Sequence, residues 1–192
     1  MAEIGSREVT QLLADMRRGS DTAAHRLLPA VYGELKAIAA EMFRDQPADH
    51  TLNATALVHE AFLRLVHAPA GDFNNRAHFF AVAAKAMRTH LIDHARKREA
   101  KKRGSGWDRI TLSGLSDALQ GRPLDFLALD EALTRLSHLH ARQAQVVEMR
   151  FFGGLSIAEA AEVLNVSDAT VKNDWAMARA WLACELSHAT RS

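Results

Sequence analysis

The stretch that most narrows the possible folds is Leu155 to Leu182, LSIAEAAEVLNVSDATVKNDWAMARAWL. Ser156 followed three residues later by Glu159 has the spacing of a capping box, in which hydroxyl and carboxylate each satisfy a backbone N–H left without a partner in the first helical turn. A helix is predicted from there to about Leu164. Asn165-Val166-Ser167 then serves as a three-residue turn, because asparagine tolerates the left-handed backbone such a turn needs and Ser167 can cap the next helix. Ala160, Leu164, Val166 and Val171 supply the apolar surface through which the two helices pack, and short helices at this spacing form a helix-turn-helix. On the second helix Val171, Trp175, Ala178 and Leu182 make an inner stripe. Asp168, Ala169, Lys172, Asn173, Ala176 and Arg179 are left outward, on a face that suits the major groove of DNA. Lys172 and Asn173 can reach base edges or phosphates, Ser167, Asp168 and Thr170 lie near the end that points at DNA, and Arg179 suits a backbone contact. The bland alternative is a helical hairpin with a solvated polar face; agreement of cap, turn and apolar spacing favours DNA.

The rest of the chain is also helical in pattern. Val9, Leu12, Leu13 and Met16 follow the i, i+3, i+4, i+7 spacing, with Gly19 as a stop. A second run covers Thr22 to Arg44, with Pro29 expected to kink it or to begin its second part. Asn53 can cap a helix over Ala54 to His67, which Pro69 and Gly71 close, and a long helix begins at Asn75 and runs into a basic tract. After Gly104 to Pro123, where four glycines and weak periodicity mark a linker, helices are expected over Asp125 to Leu136 and His138 to Phe152, stopped by Gly153-Gly154. No segment alternates with period two, so strands are expected to be absent. The fold class is all-α: two small helical domains, 1–103 and 124–192, joined by a flexible linker, 104–123.

Charge is unevenly divided between them. Residues 1–103 carry 16 Lys/Arg against 12 Asp/Glu, and residues 104–192 carry 8 against 11. Lys85 to Arg103 alone holds eight basic residues against Asp93 and Glu99, which marks it as a surface for a phosphate backbone rather than a merely solvated helix end. No apolar run approaches the roughly 18 residues of a membrane span, and the N-terminus shows no secretory pattern. A cytoplasmic protein is expected. One cysteine, Cys184, excludes an internal disulfide and a multi-cysteine zinc site.

The helix-turn-helix, the preceding LTRLSHLHARQAQVVEMRFFGG, and the N-terminal TALVHEAFLRLV and HFFAVAAKAMRTHLIDHARKREAKKRG together resemble extracytoplasmic-function (ECF) RNA polymerase sigma factors of the sigma-70 type, over nearly the whole chain. The resemblance implies a non-catalytic subunit without cofactors. In it an N-terminal domain, region 2, binds the clamp helices of the polymerase β′ subunit and opens and reads the −10 element, and a C-terminal domain, region 4, reads the −35 element and contacts the β flap. Carried over residue by residue, β′ binding falls on Asn53, Thr55, Leu57, Val58, Glu60, Ala61 and Arg64. Reading and melting of the −10 strand fall on Arg88, Thr89, His90, Asp93 and His94, with Arg96, Lys97 and Arg98 toward its backbone. Strand opening needs positive charge and pockets for unpaired bases; Phe79 and Phe80 could stack bases, but at helical spacing beside Ala83 they read as core.

Two features depart from the family pattern. The recognition segment is acidic, with Lys172 and Arg179 against Glu159, Glu162, Asp168, Asp174 and Glu185 between Ser156 and Leu186, so the isolated C-terminal domain is expected to hold duplex weakly. Where many relatives carry an acidic Asp-Ala-Glu-Asp stretch facing β′ arginines, this chain has Asn53-Ala54-Thr55-Ala56. A phosphate on Thr55, or on Thr51, would restore negative charge at a helix N-terminus. The resemblance then implies a Ser/Thr protein kinase as the activating partner, in place of release from an anti-sigma factor.

Two other classes compete. An enzyme is suggested only by the ten histidines: His90 and His94 share a helix face, but no His-Glu-x-x-His motif and no third ligand accompanies them, and His138 and His140 point apart. An autonomous helix-turn-helix regulator would bind its operator without polymerase, which the acidic C-terminal half disfavours.

Overall fold

In a computed structural model of the chain, residues 2–43, 53–67, 73–101, 109–110 and 124–189 are described, and the apolar repeats of period 3.6 are helices. Helix α1 (Ala2–Arg17) buries Val9, Leu12 and Leu13 and stops at Gly19, whose φ of +86° is left-handed backbone that glycine adopts at least cost. Helix α2 (Asp21–Met42) begins at Ser20, whose hydroxyl accepts from the Ala23 amide at 3.3 Å, and buries Ala23, Leu27, Val31, Leu35, Ala39 and Met42. Pro29 does not divide α2. It lies on the exposed side, where the carbonyl that loses its partner can turn to water.

Asn53 caps α3 (Ala54–His67) through Oδ1, which accepts from the Ala56 amide at 2.9 Å, and Asn75 caps α4 (Arg76–Lys101) in the same way from the His78 amide at 2.8 Å. Helix α4 has apolar residues around most of its circumference, and Phe79, Phe80, Ala83, Ala84, Met87 and Leu91 are all buried. A helix of that kind must be covered on several sides. Helices α1 and α3 pack on it, and so do the C-terminal helices.

The expected absence of strands needs a small correction. Segments β1 (Arg109–Ile110) and β2 (Leu124–Asp125) pair antiparallel, Arg109 opposite Asp125 and Ile110 opposite Leu124. Two residues are too few to show a period of two. Residues 111–123, between them, lie outside the described part, as do Arg44, Thr51, Pro69, Gly71, Lys102 and Arg103.

Helix α5 (Phe126–Leu139) is followed by α6 (Ala141–Val147), which continues without a break into a π-helical turn, Glu148–Phe152. The single helix expected over His138 to Phe152 therefore begins only after His140, whose extended backbone (φ −146°) separates α5 from α6. Helix α7 (Ile157–Leu164) carries the capping box in full, and Asn165 takes φ 53°, ψ 49° in the turn before α8 (Asp168–Ala189). Among the described residues the buried side chains form one cluster that runs from Val9 to Leu186. None of the helices described is long and apolar enough to cross a membrane.

Gly153 and Gly154 are more than a helix stop. A Cβ on Gly153 would lie 2.6 Å from the Met149 carbonyl oxygen and 3.0 Å from the Ala84 Cβ of α4, and one on Gly154 would lie 2.8 Å from Ile38 of α2. The missing side chains let the end of the π-helical turn approach α2 and α4.

Candidate nucleic-acid interface

Helix α8 stands as the periodicity requires. Val171, Ala178 and Leu182 are fully buried, Trp175 is half-buried, and Asp168, Ala169, Lys172, Asn173 and Ala176 are exposed. The Ser167 hydroxyl accepts from the Thr170 amide at 3.1 Å and lies 2.9 Å from the Thr170 hydroxyl, so both groups start the helix as well as face outward. Asp174, on the same helix, points inward: it is buried, and its carboxylate accepts from Arg142 Nε of α6 at 2.5 Å, a pairing that raises the Arg142 pKa. Opposite faces of one helix thus meet solvent and core with different polar residues.

Arg179 is not the free outward cation that the spacing suggested. It is half-buried, with its guanidinium 5.9 Å from the centroid of Trp175, and Arg150 of the π-helical turn lies 4.9 Å from the same ring. Burial, and then the charge of Arg179, lower the pKa of Arg150. Both Nε atoms are buried without a hydrogen-bond partner. Sequence reasoning missed Arg150, because its role depends on Trp175, which is distant along the chain and adjacent only in the fold.

On α3 the residues expected to bind β′ divide by face. Leu57, Val58 and Ala61 are buried and hold the helix in the core, whereas Asn53, Glu60 and Arg64 are exposed and Thr55 is half-buried in the first turn. That turn contains no acidic residue. Arg64 reaches Asp93 of α4 at 2.7 Å, which joins a residue expected to bind β′ to one expected to read the −10 strand.

Along α4, Thr89 and Lys97 are exposed, and His90, Asp93 and His94 are intermediate; Arg98 lies in the helix, but its side chain is outside the described part. Burial holds the His90 imidazole below its usual range, with Arg64 and Lys97 acting in the same direction and Glu60 and Asp93 against it. A neutral imidazole at pH 7 can both donate and accept a hydrogen bond. Phe79 and Phe80 are each 1% exposed and pack edge to face at 5.6 Å, so they are core and not a stacking platform. No group of three or more His, Cys, Asp or Glu side chains that could hold a metal occurs among the described residues.

Arg88 departs most from expectation. All three guanidinium nitrogens are engaged by the C-terminal half: Nε and Nη2 donate to Asp130 Oδ1 at 3.1 and 2.6 Å, and Nη1 donates to Glu148 Oε1 at 2.9 Å. Arg96 lies 3.5 Å from the same Asp130 carboxylate. At the start of α4, Arg76 pairs with Glu34 and Glu159 and sits over the Phe80 ring, while Asn75 Nδ2 donates to Glu162 at 2.5 Å. Burial alone would push the Glu159 carboxyl up, but bonds from Ser156 and the charge of Arg76 bring it below its usual range.

A basic helix and a capped helix-turn-helix with an exposed Lys172-Asn173 face are features that nucleic-acid-binding proteins use. Comparison with curated protein sequences finds no match. The model of the family described as ECF sigma factor matches residues 6–188 of the chain, so the chain belongs to the ECF sigma factors.

Proposed function

We propose that this chain directs core RNA polymerase to a defined set of promoters from the cytoplasm, with 1–103 as region 2, 104–123 as the linker threaded through the polymerase, and 124–192 as region 4. The observation that carries the assignment of region 4 is the solvent-exposed Lys172-Asn173 pair on the second helix of a helix-turn-helix, whose first helix starts at the Ser156–Glu159 capping box, whose turn holds the left-handed Asn165 and whose second helix is capped by Ser167. Promoter DNA, the β′ clamp helices and the β flap are its partners. Ser167, Asp168, Thr170, Lys172 and Asn173 face the −35 element, and Thr89, His90, Asp93, His94, Arg96 and Lys97 face the −10 strand. Asn53, Glu60 and Arg64 supply the exposed part of the β′ surface.

The acidic balance of α7 and α8 makes polymerase necessary for tight binding, since few counterions are released on contact. Transcription in vitro with core polymerase and genomic templates is expected to give discrete start sites. The free protein is expected to give no promoter shift at physiological salt; a tight, specific shift without polymerase would overturn the assignment in favour of an autonomous regulator.

Polymerase recruitment is the step we propose to be regulated, through phosphorylation of Thr55 by a Ser/Thr kinase. Support comes from the position of Thr55 in the first turn of α3, capped by Asn53 and without a carboxylate of its own. An anion there meets the positive end of the helix dipole, worth about 0.3–1 kcal/mol. Thr55→Glu is expected to tighten binding to core polymerase by roughly two- to fivefold, and Thr55→Ala to abolish any response to kinase treatment. Equal binding by both variants and by the unmodified chain would remove phosphorylation from the scheme. Thr51, the other candidate, lies outside the described residues.

A further inference from the structure

We infer that Arg150, Trp175 and Arg179 form a binding site for one phosphate group, in which the indole carries two guanidinium groups that no carboxylate of the chain neutralises. Arg150 comes from the π-helical turn and Arg179 from α8, and their guanidinium carbons lie 4.9 and 5.9 Å from the centroid of the Trp175 ring. All three side chains are half-buried, so each keeps part of its surface open to solvent. The turn that carries Arg150 is closed by the Leu155 amide, which donates to the Met149 carbonyl at 3.1 Å. Widened turns of this kind are frequent at functional positions.

The pair is set apart by its lack of compensation. Taking a cation out of water costs free energy that a carboxylate partner ordinarily offsets. Among the described residues no carboxylate lies within salt-bridge distance of either guanidinium. The acidic residues closest to them along the chain are engaged elsewhere: Glu148 accepts from Arg88 at 2.9 Å and Asp174 from Arg142 at 2.5 Å. Both Nε atoms are buried without a partner, and Arg150 Nη1 reaches only the Leu155 carbonyl, at 3.5 Å. Burial and the charge of Arg179 lower the Arg150 pKa, and no acidic group acts against them.

Two like charges beside one aromatic ring, with guanidinium donors left over, are complementary to a compact anion that has several acceptor oxygens. A phosphate group has that form, and its bonds from guanidinium are charge-assisted. The group can belong to a free polyphosphate anion or to the backbone of a duplex.

The test uses the full chain with Trp107→Phe and Trp181→Phe, which leaves Trp175 as its only indole. Sodium pyrophosphate, titrated against sodium chloride at matched ionic strength, is expected to change the Trp175 emission saturably. It should also raise the melting temperature of the chain with its native tryptophans. Arg150→Met and Arg179→Met keep a long side chain without the charge, and each is expected to weaken pyrophosphate binding at least about tenfold. Without the anion both variants should melt no lower than the parent, since each removes an uncompensated charge. A random-sequence duplex at low ionic strength then identifies the source. Displacement of pyrophosphate assigns the site to a backbone phosphate, and its retention to a free anion.

The absence of a saturable response in the parent would overturn the inference. So would methionine variants that melt lower yet bind pyrophosphate as the parent does, the pattern of arginines kept only to pack the indole. Polymerase enters none of these measurements, so the site stands or falls separately from the sigma reading.

Discussion

Phe79→Ala is expected to lower the stability of the chain by about 3–5 kcal/mol, since it removes a large aromatic side chain from a site that cannot easily collapse. Phe79 is 1% exposed and touches Phe73 and Phe80 edge to face, with centroids 5.3 and 5.6 Å away. A loss of that size is a large share of the roughly 5–15 kcal/mol by which domains are stable, and a urea titration will read it as a lower midpoint. The same residue decides between two roles an aromatic beside a basic helix can have. Phe79→Leu keeps most of the volume and should cost less than about 1.5 kcal/mol while leaving strand binding intact. If Phe79 stacked a base instead, the leucine variant would lose roughly 1–3 kcal/mol of strand affinity at unchanged stability.

The parts of the molecule that could be read directly are those set by local chemistry. Ser156 and Glu159 form their capping box, Asn165 turns left-handed, and the Val171–Ala178–Leu182 stripe is buried, because each depends on residues within a few positions or on a helical period. What could not be read depends on long-range contact. Nothing around Arg88 shows that Asp130 and Glu148, 42 and 60 residues further along the chain, will occupy its guanidinium, and nothing around Arg179 shows that it will share a tryptophan ring with Arg150. The even apolar distribution of α4 was the available signal: a helix with buried residues on so much of its surface needs a second partner besides α1 and α3. The gap at His140 and the two-residue β pair left no such trace, since one extended residue and two paired ones fall below the length at which any period can be detected.

In holoenzyme, Lys172→Ala and Asn173→Ala are each expected to reduce initiation at a cognate promoter by roughly 5- to 150-fold, the range that corresponds to about 1–3 kcal/mol for a base pair read through good bidentate geometry. Both side chains are exposed and neither is part of the core, so the folding stability of the variants should remain within about 0.5 kcal/mol of the parent. The two substitutions should differ in kind. Loss of the lysine removes a charge and should lower the salt dependence of promoter binding by about one unit of slope if it contacts phosphate, with a similar penalty on every −35 sequence. Loss of the asparagine should leave the salt slope alone and relax the preference at one base pair, adenine being the base whose edge matches an amide. Asp174 sits next to Asn173 but faces the opposite way, buried against Arg142, and this fixes which side of α8 can meet the groove. A pair of variants that lost stability together with initiation would mean that α8 is held in the core by its outward face, which would contradict the burial of Val171, Ala178 and Leu182 on the other side.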